Sequence, residues 1–502
     1  MLRKFRITSQ TIFFALFCVF FFFLNTYRHA YTFPSDLFLR LNPLTALLTE
    51  IAARVFIPSL LVLGIAAAVL SAVVGRFFCG FVCPLGAAVD FADAVLFKKI
   101  RFVNRRPPGS FQRLKYVFLF ALIVLSLFGA VSPLVMDPAA LLTRTMAVIT
   151  NPPLSYGAVL SLSLALLLFA GSLWDRRFWC QYICPSGAFF GLLSRMPLFR
   201  RKPFTANCIS CGACARVCPT RAINASSAER TNNAECVVCG LCTQVKERCS
   251  GFRFAVPAAA VQVRPDLQRR HFLFGLLGGL LFVPVYKASA RNGPDVYNRL
   301  LRPPGAMPEE NFLARCTACG NCVKACPANA LHPCTLSDGF SRLYTPKLVP
   351  RIGACDFRCH LCGYVCPTEA IRKVALDEKP YVKIGTAVVD RHRCIAWGKN
   401  RECLACGSGC PYNAIESRLV QTLTGPCNVP VVREELCTGC GLCEKKCPVS
   451  GRAAIEVFRS GETRPASGRF ADDIRMQKIN IMRIKTPHSG AGDTNPLPGI
   501  SE

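Results

Sequence analysis

The chain has 502 residues with 52% hydrophobic content, and 60 Lys and Arg against 30 Asp and Glu give a formal net charge of +30. This length allows several domains, and a basic surface can attract nucleic acid. No aromatic–basic binding module, phosphate loop, Rossmann fingerprint or hydrolytic constellation accompanies the charge. Nucleic-acid binding and substrate chemistry of those classes are therefore not expected.

Long apolar segments fill the first 200 residues of the chain, where only five of the 31 cysteines lie. Four of them approach the ~20 residues that cross a bilayer, and none carries a charged side chain. They are residues 11–27, 55–74, 116–135 and 154–173. A fifth segment, 272–285, is shorter and rich in glycine. We predict four membrane helices in the first half and consider the fifth segment separately below.

Basic residues mark one side of these predicted helices. They are concentrated in residues 1–6, 76–115 and 176–202, whereas the intervening loops carry few. The positive-inside rule therefore places the N-terminus in the cytoplasm, together with the loops that follow the second and fourth helices.

A short cysteine element occurs twice in those cytoplasmic loops. Residues 76–87, "RFFCGFVCPLGA", and residues 177–188, "RFWCQYICPSGA", share seven of twelve positions. Each CxxxCP element directly follows the second helix of a predicted hairpin, so residues 1–202 are interpreted as two copies of one unit. We expect Cys79, Cys83, Cys180 and Cys184 to form one functional site at the cytoplasmic membrane surface. A quinone pocket, a shared metal, redox-cycling thiols and a purely structural turn remain open for it.

The second half carries six runs of four cysteines. Three have the spacing C-x2-C-x2-C-x3-C-P, which is the bacterial ferredoxin pattern for [4Fe–4S] clusters. They are Cys208, Cys211, Cys214 and Cys218; Cys316, Cys319, Cys322 and Cys326; and Cys437, Cys440, Cys443 and Cys447. Short spacers let three thiolates hold one cluster, and in two-cluster ferredoxins the fourth cysteine ligates the other cluster.

Three looser runs follow the same plan. They are Cys236, Cys239, Cys242 and Cys249; Cys355, Cys359, Cys362 and Cys366; and Cys394, Cys403, Cys406 and Cys410. Together the 24 cysteines predict six [4Fe–4S] clusters. Zinc sites, a disulfide framework, and a haem at the C-x3-C-H sequence ending at His360 are weaker alternatives. Cys18 is expected to be a small buried side chain, whereas Cys334 or Cys427 could replace a ligand in an irregular run.

Residues 268–290 separate the two cluster regions. Arg269 and Arg270 precede an apolar stretch and a small-residue "ASA", which resembles a twin-arginine export signal. We interpret this segment as a fifth crossing that exports the following domain already folded with its clusters; a buried or amphipathic helix is the alternative.

The predicted architecture is an α-helical membrane domain of two helix-hairpin repeats joined to α+β ferredoxin-like [4Fe–4S] domains. The domain boundaries are 1–202 for the membrane domain, 203–260 for a two-cluster domain, 261–295 for the export segment, 296–460 for a four-cluster domain and 461–502 for a disordered tail.

Residues 1–255 resemble the NapH/MauN-type membrane ferredoxins in their four predicted helices, two CxxxCP elements and two cluster runs. Residues 268–450 are similar to the NapG/MauM-type ferredoxins in a twin-arginine leader and four cluster runs. The chain thus resembles a fusion of the two, and its CxxxCP pair is also similar to that of NosR. It departs from the pattern in Ser250 after Cys249 and in the long gap from Cys394 to Cys403.

The resemblance implies electron transfer in the inner membrane between the quinone pool and a periplasmic cytochrome or reductase subunit. No histidine lies well inside the four predicted helices, so a bis-His haem is excluded there and quinol is the natural mobile carrier. The chain would act as an electron-transfer component, in the role of a subunit that oxidises quinol. A maturation factor for the metal centre of a respiratory enzyme is the second hypothesis.

Overall fold

The computed structural model describes residues 2–24, 36–97, 109–131, 136–150, 156–203, 211–223, 231–245, 250–254, 269–290, 299–422 and 425–470. The predicted ligands Cys208 and Cys249 lie outside the described residues, as do residues 471–502 of the predicted tail. The ends of three predicted membrane segments also fall outside them, at residues 25–27, 132–135 and 154–155.

The first half is helical. Its helices are α1 (Leu2–Phe23), α2 (Leu37–Arg40), α3 (Pro43–Ala53), α4 (Pro58–Val74), α5 (Pro84–Ala92), α6 (Leu114–Leu127), α7 (Pro138–Thr150), α8 (Tyr156–Trp174), α9 (Phe178–Tyr182) and α10 (Pro185–Leu193). Each predicted apolar segment contains a helix, although α1 begins well before residue 11. Sequence analysis did not predict α3 and α7, which lie in the loops between the predicted crossings.

Among the described residues, two helices have the length and hydropathy of a membrane crossing, Leu2–Phe23 and Arg270–Ala290. The second belongs to α12 (Arg269–Ala290), which follows the short helix α11 (Ala213–Val217). Shorter apolar helices include α4 and the 161–174 part of α8. The fifth apolar segment is therefore a continuous helix.

Helix α12 packs along α6 in the same direction. A Cβ added to Gly275 would lie 2.8 Å from the Phe120 Cβ, and one added to Gly279 would lie 2.8 Å from the Val124 Cβ. Further along, Val283 and Tyr286 pack with Leu125 and Ala130 in one buried cluster. The small-xxx-small spacing of the two glycines lets the helix backbones approach closely, as in many membrane helix pairs.

The cysteine-rich regions contain short helices and four two-stranded antiparallel sheets. The helices are α13 (Glu309–Arg315), α14 (Asn321–Lys324), α15 (Leu361–Tyr364), α16 (Ile395–Lys399) and α17 (Leu442–Lys446). The sheets pair β1 (Phe199–Pro203) with β2 (Ser250–Phe254), β3 (Leu331–Pro333) with β4 (Pro346–Leu348), β5 (Thr386–Val389) with β8 (Ile455–Phe458), and β6 (Ile415–Thr422) with β7 (Gly425–Val432).

The two cysteine-rich regions contact different ends of the helical half. The turn around Cys239 packs on the start of α1, where Arg3 Nη1 donates to Gln244 Oε1 at 2.9 Å. The C-terminal region contacts α7 and the end of α1, where the Lys324 Nζ lies 5.1 Å from the centre of the Phe21 ring. Helix α1 thus extends from one region to the other.

The C-terminal region continues past residue 460, the predicted start of a disordered tail. Arg464 pairs with Glu309 at 3.2 Å, and Phe470 is 2% exposed in a cluster with Val374 and Val382. Residues 461–470 are thus packed against the domain.

Candidate iron–sulfur sites

The ferredoxin-type runs share one local geometry. In the runs beginning at Cys316 and Cys437, the glycine after the second cysteine has a positive φ, +84° at Gly320 and +83° at Gly441. A residue with a Cβ is strained in this conformation. The glycine begins the short helix that carries the third cysteine, so the chain turns tightly and three thiols of the run face one side.

The last two runs exchange their fourth cysteines. One cavity of about 340 Å³ is lined by Cys394, Cys403, Cys406 and Cys447. A second cavity of about 340 Å³ is lined by Cys410, Cys437, Cys440 and Cys443. Each cavity therefore has three thiols from one run and the last thiol of the other, as in two-cluster ferredoxins.

The two middle runs exchange in the same way. Cys326, Cys355, Cys359 and Cys362 line a cavity of about 370 Å³. Burial raises the pKa of the Cys322 thiol, and the nearby thiols of Cys319, Cys316 and Cys366 raise it further. Cys366 therefore belongs with the first three cysteines of the preceding run.

The first two runs show one half of this exchange. Burial raises the pKa of the Cys236 thiol, and Cys239 and Cys218 add to the shift. Cys218 of the first run thus lies with the second run. The reciprocal partner would be Cys249, which lies outside the described residues.

The environments of these thiols suit metal-bound thiolates. Burial raises the pKa of the Cys236, Cys322 and Cys443 thiols, so a protonated thiol is favoured there until a metal supplies positive charge. Among the described residues, no three His, Cys, Asp or Glu side chains close around a single metal ion. The four thiols that line each of these cavities match the ligand set of one [4Fe–4S] cluster.

Backbone amides donate to the fourth cysteine of several runs. The N–H groups of Ala222, Ala330 and Ala414 each donate at 3.3 Å to the Sγ four residues earlier, on Cys218, Cys326 and Cys410. Hydrogen bonds to sulfur are one of the factors that set the reduction potentials of iron–sulfur clusters.

The contact of Lys379 with a cluster cysteine was not predicted from the sequence. Its Nζ donates to the Cys355 Sγ at 3.3 Å, and the residue is 4% exposed. Burial lowers the pKa of this amine, but the nearby Cys355 and Cys362 outweigh burial and the pKa is raised. Lys379 stands 13 residues beyond Cys366 in a polar segment, where no spacing signal connects it with the cluster motif.

The remaining cysteines of the second half lie outside these cavities. Cys334 is fully buried, with its Sγ 3.8 Å from Arg302 Nη1. Cys427 is buried on β7, opposite Val420. His360 bonds through Nδ1 to the Val374 carbonyl at 2.7 Å. None of the described cysteines forms a disulfide.

The structure brings the two CxxxCP elements together. Cys83 and Cys184 each cap a nine-residue helix that begins with proline, and each Sγ accepts from a backbone amide, Gly86 at 3.4 Å and Gly187 at 3.2 Å. Proline at the first helical position is favoured because it lacks the N–H that would be unpaired there. Burial raises the pKa of Cys83, and the Cys79 and Cys180 thiols raise it further.

Two buried arginines link the elements reciprocally. Arg177, which precedes the second element, donates from Nη1 to the Cys79 carbonyl of the first at 3.3 Å. Arg76, which precedes the first element, has its Nη2 2.8 Å from the position of a Cβ on Gly187 of the second. Both side chains are 1% exposed.

Each arginine belongs to a buried ionic group. Arg177 forms a bidentate pair with Asp90 at 2.6 and 2.7 Å, and Arg6 bonds the same carboxylate. Burial opposes ionisation of Asp90, but Arg177 and Arg6 outweigh it and lower its pKa to about 2. In the second group, the Glu235 carboxylate pairs with Arg76 at 3.0 Å and also with Lys115.

The aromatic residues of the elements form separate stacks among the described residues. Phe77 stacks on Phe81 with centroids 4.6 Å apart, and Phe78 stacks on Phe190 at 5.0 Å. In the second element, Phe178 packs against Trp174 and Tyr182, and Trp179 is buried. Phe78, Phe81 and Trp179 belong to one buried cluster with Cys83 and Cys184.

Family models match both halves. The description "4Fe-4S binding domain" applies to a model that matches residues 56–102 and 157–203, the two CxxxCP units. A second model with the same description matches residues 204–224, 313–332 and 430–450, the three regular runs. No solved structure matches the chain.

Several ferredoxin-type proteins are similar in sequence. MauM of Methylophilus methylotrophus is 34% identical over 207 residues, 40% of this chain and 90% of that protein. NapG of Escherichia coli K12 is 35% identical over 209 residues, 39% of this chain and 87% of that protein. MauN of Paracoccus denitrificans is 33% identical over 147 residues, 29% of this chain and 48% of that protein. Over the part that MauM and NapG cover, the chain belongs to the family of MauM/NapG ferredoxin-type iron–sulfur proteins.

Proposed function

We propose that this chain is a membrane-bound electron-transfer protein that passes electrons between the quinone pool and a redox partner in the periplasm. The observation that carries the proposal is the placement of two ferredoxin-type regions at different ends of one apolar helical bundle. The chain would then be a fusion of a NapH/MauN-type unit with a NapG/MauM-type unit. MauM and NapG are themselves named ferredoxin-type proteins.

The 24 cysteines of the six runs would hold six [4Fe–4S] clusters, in three pairs that exchange their fourth ligand. Such clusters supply reversible one-electron transfer. The protein holds the thiols, excludes water and places hydrogen-bond donors on the sulfurs. The crosswise sharing of ligands would make the two clusters of each pair neighbours in electron exchange.

A membrane environment accounts for apolar side chains on the outside of the bundle. Val62 is 67% exposed, Leu167 69% and Leu281 74%. Large apolar residues on several neighbouring helices are costly in water, and lipid would cover them. Residues 1–202 together with α12 would thus form the membrane domain, in the inner membrane.

The direction of α12 supports export of the C-terminal domain. It runs parallel to α6, which starts on the side where the basic loops lie and ends on the opposite side. A parallel partner would cross in the same sense, so residues 203–260 would remain cytoplasmic and residues 296–470 would enter the periplasm. There a cytochrome or reductase subunit would exchange electrons with the outer clusters.

The four CxxxCP cysteines would be the functional site at which the membrane domain exchanges electrons with quinone. The Cys239 turn packs against them: Arg6 lies beside Cys239 and donates to the Gly80 carbonyl at 3.2 Å. A site in this position would connect a lipid-soluble carrier with the first soluble clusters.

A metal-centre maturation factor is the second candidate function. It is favoured by the same four thiols, of which Cys83 and Cys184 are buried, since thiolates bind soft metals such as Cu(I). Stoichiometric copper in the anaerobically purified chain, without reduction of its clusters by quinol, would support this candidate instead.

Protease accessibility tests the proposed arrangement. Protease added to intact spheroplasts should cut residues 296–470 and leave residues 203–254 intact, whereas both regions should be cut after lysis. A variant with Arg269→Lys and Arg270→Lys should retain the C-terminal domain on the cytoplasmic side. Replacing Arg299 and Arg315 by Lys provides a charge-matched control outside the export segment. Protection of the C-terminal domain in spheroplasts of the unmodified protein would contradict the proposal.

A further inference from the structure

The four CxxxCP cysteines face buried donors that have no partner. Nε and Nη2 of Arg76 make no hydrogen bond within the described structure, although the side chain is 1% exposed. Arg76 interacts electrostatically with the thiolates of Cys79 and Cys180. A buried guanidinium with unused donors is unfavourable, so this site is built to face an anion.

The two ionic groups beside these cysteines each contain more positive than negative charge. Asp90 is shared by two arginines, Arg6 and Arg177, and Glu235 is shared by Arg76 and Lys115. Each group therefore carries one surplus positive charge, and each is largely buried. A [4Fe–4S]2+ core with four thiolates carries two negative charges, which are opposite in sign to that surplus, and the buried carboxyl of Asp137 also acts on Cys83.

Neither CxxxCP element can hold such a cluster alone. Each of the two segments that match a "4Fe-4S binding domain" model contains only two cysteines, Cys79 with Cys83 and Cys180 with Cys184. The structure removes this difficulty, because Cys83 of the first element and Cys184 of the second lie in one buried cluster, against which Cys79 packs. Their combined number equals the ligand set of one cluster.

Contacts along helix α1 show where this site lies between the two ferredoxin-type regions. Arg3 contacts the second run through Gln244, Ser9 donates to the Phe81 carbonyl at 3.3 Å, and Phe21 lies beneath Lys324 of the third run. At 1.5 Å per residue, Ser9 is about 9 Å along the axis from Arg3 and about 18 Å from Phe21. The four cysteines therefore lie at an intermediate level.

Continuous packing joins the second run, the CxxxCP elements and the third run. One buried cluster of apolar side chains contains Val238 of the second run, Cys83 and Cys184 of the CxxxCP elements, and Cys319 of the third run. Helix α7 completes the connection: Asp137 at its start accepts from Ser186 Oγ at 3.2 Å, and Arg144 donates to the Ala318 carbonyl at 3.4 Å.

We propose that Cys79, Cys83, Cys180 and Cys184 together bind a seventh iron–sulfur cluster, of the [4Fe–4S] type, which connects the clusters of the two ferredoxin-type regions. Each exchange moves one electron from a reduced [4Fe–4S]+ to an oxidised [4Fe–4S]2+ cluster. No bond to the four thiolates breaks, and no proton is transferred. The inference rests on the proposed function for the compartments of the two ends, but cluster binding itself does not depend on quinol.

Occupancy is tested on the full-length protein purified anaerobically. Iron and sulfide analysis with Mössbauer and EPR spectroscopy would compare the parent, Cys79→Ser with Cys180→Ser, and the control Cys18→Ser. Four thiolates per cluster predict about 28 iron atoms in the parent and control and about 24 in the double variant. Loss of one cluster signal in the double variant alone supports the proposal. Equal iron content, or zinc or copper at the site, overturns it.

If the double variant fails to fold, a substitution at Arg76 tests for the same cluster through its reduction potential. Arg76→Gln removes one positive charge, while Lys115 still pairs with Glu235. Because a nearby cation favours the reduced cluster, we expect one reduction potential to become more negative. Arg76→Lys should largely retain the parent value. Identical potentials in all three proteins contradict the presence of a cluster facing Arg76.

The connecting role is tested in sealed vesicles whose C-terminal domain faces the lumen. Dithionite added outside should reduce the lumenal clusters of the parent and of Cys18→Ser, and this reduction should be lost in the double variant. Equal reduction in the double variant would show that the four cysteines do not connect the two regions. Failure of quinol to reduce the clusters, with this result intact, would overturn only the proposed function.

Discussion

Arg76 Nη1 and Glu235 Oε2 lie 3.0 Å apart although 159 residues separate them in the chain. The same guanidinium donates to the Ala234 carbonyl at 3.2 Å. Since Arg76 precedes Cys79 and Glu235 precedes Cys236, this pair fixes the start of a CxxxCP element against the start of a ferredoxin-type run. Both side chains are almost completely buried, so the first CxxxCP element and the second ferredoxin-type run form one packed unit.

The exchange of fourth ligands predicts which cluster a single substitution affects. Cys447→Ser should perturb the site formed by Cys394, Cys403 and Cys406, because the Cys447 thiol lines their cavity. The cluster of its own run should keep all four ligands, since Cys410 supplies the last one. EPR of the reduced protein would show one altered signal. Cys427→Ser, a buried cysteine outside both cavities, is the control. Loss of the cluster held by Cys437, Cys440 and Cys443 would contradict the exchange.

Lys379 should raise the reduction potential of the cluster beside it. Its ammonium is buried and bonds to the Cys355 Sγ, so it stabilises the additional negative charge of the reduced state. Lys379→Met should therefore make one reduction potential more negative. Lys373→Met, at an exposed position, should leave all potentials unchanged. Potentiometric titration followed by EPR measures both, and a shift of equal size in the control would contradict the assignment.

The glycines of α12 provide a matched test of its packing on α6. Gly275→Leu would force a side chain against the Val117 carbonyl and Phe120, and overpacking of this kind costs about 1–3 kcal/mol. Gly278→Leu changes the same residue type three positions away, where nothing lies within 4 Å. We expect a lower thermal unfolding midpoint in detergent for Gly275→Leu only. Equal midpoints would mean that the two helices do not pack through Gly275.

Glu309 should make the C-terminal domain sensitive to acid. Burial opposes its ionisation, but Arg302, Arg464 and Arg342 outweigh burial and lower its pKa to about 2. Because the folded-state pKa is below the unfolded value, this stabilisation is complete at neutral pH and is lost as pH falls from about 5 towards 2. The shift corresponds to about 3 kcal/mol at neutral pH.

Glu309→Gln should remove that contribution. At pH 7 the variant should unfold at a lower denaturant concentration than the parent, and the difference should shrink as pH is lowered to 4. The exposed Glu402 offers the control Glu402→Gln. A difference between parent and Glu309→Gln that is constant from pH 7 to pH 4 would contradict the assigned ion pairs.

The cysteine spacing predicted most of the ferredoxin-type regions, because three thiols within seven residues need a tight turn whatever the surroundings. The bounds of the predicted membrane helices were less accurate. Helix α1 begins at Leu2 because Arg3 and Arg6 have partners, Gln244 and Asp90. A hydropathy criterion excludes such charged residues from a membrane segment.

Long-range partners could not be predicted from sequence. Spacing alone does not decide which run receives Cys366 or Cys447, since that depends on how the loops pack. The buried ion pairs of Arg76 and Arg177 could not be predicted either, because the positive-inside rule treats both residues as exposed loop charges. Helices α3 and α7 were missed because each is short and lies between longer apolar segments.

Reduction of the clusters by quinol shows whether the protein exchanges electrons with the quinone pool. Oxidised full-length protein in detergent or lipid would be mixed anaerobically with a reduced quinone analogue while cluster absorbance is followed. We predict rapid reduction in the parent and in Cys18→Ser. Cys79→Ser with Cys180→Ser should abolish reduction by quinol, while dithionite in solution still reduces the clusters of the six runs. Reduction of the double variant by quinol at the parent rate, or no reduction of the parent by any quinol, would contradict the account.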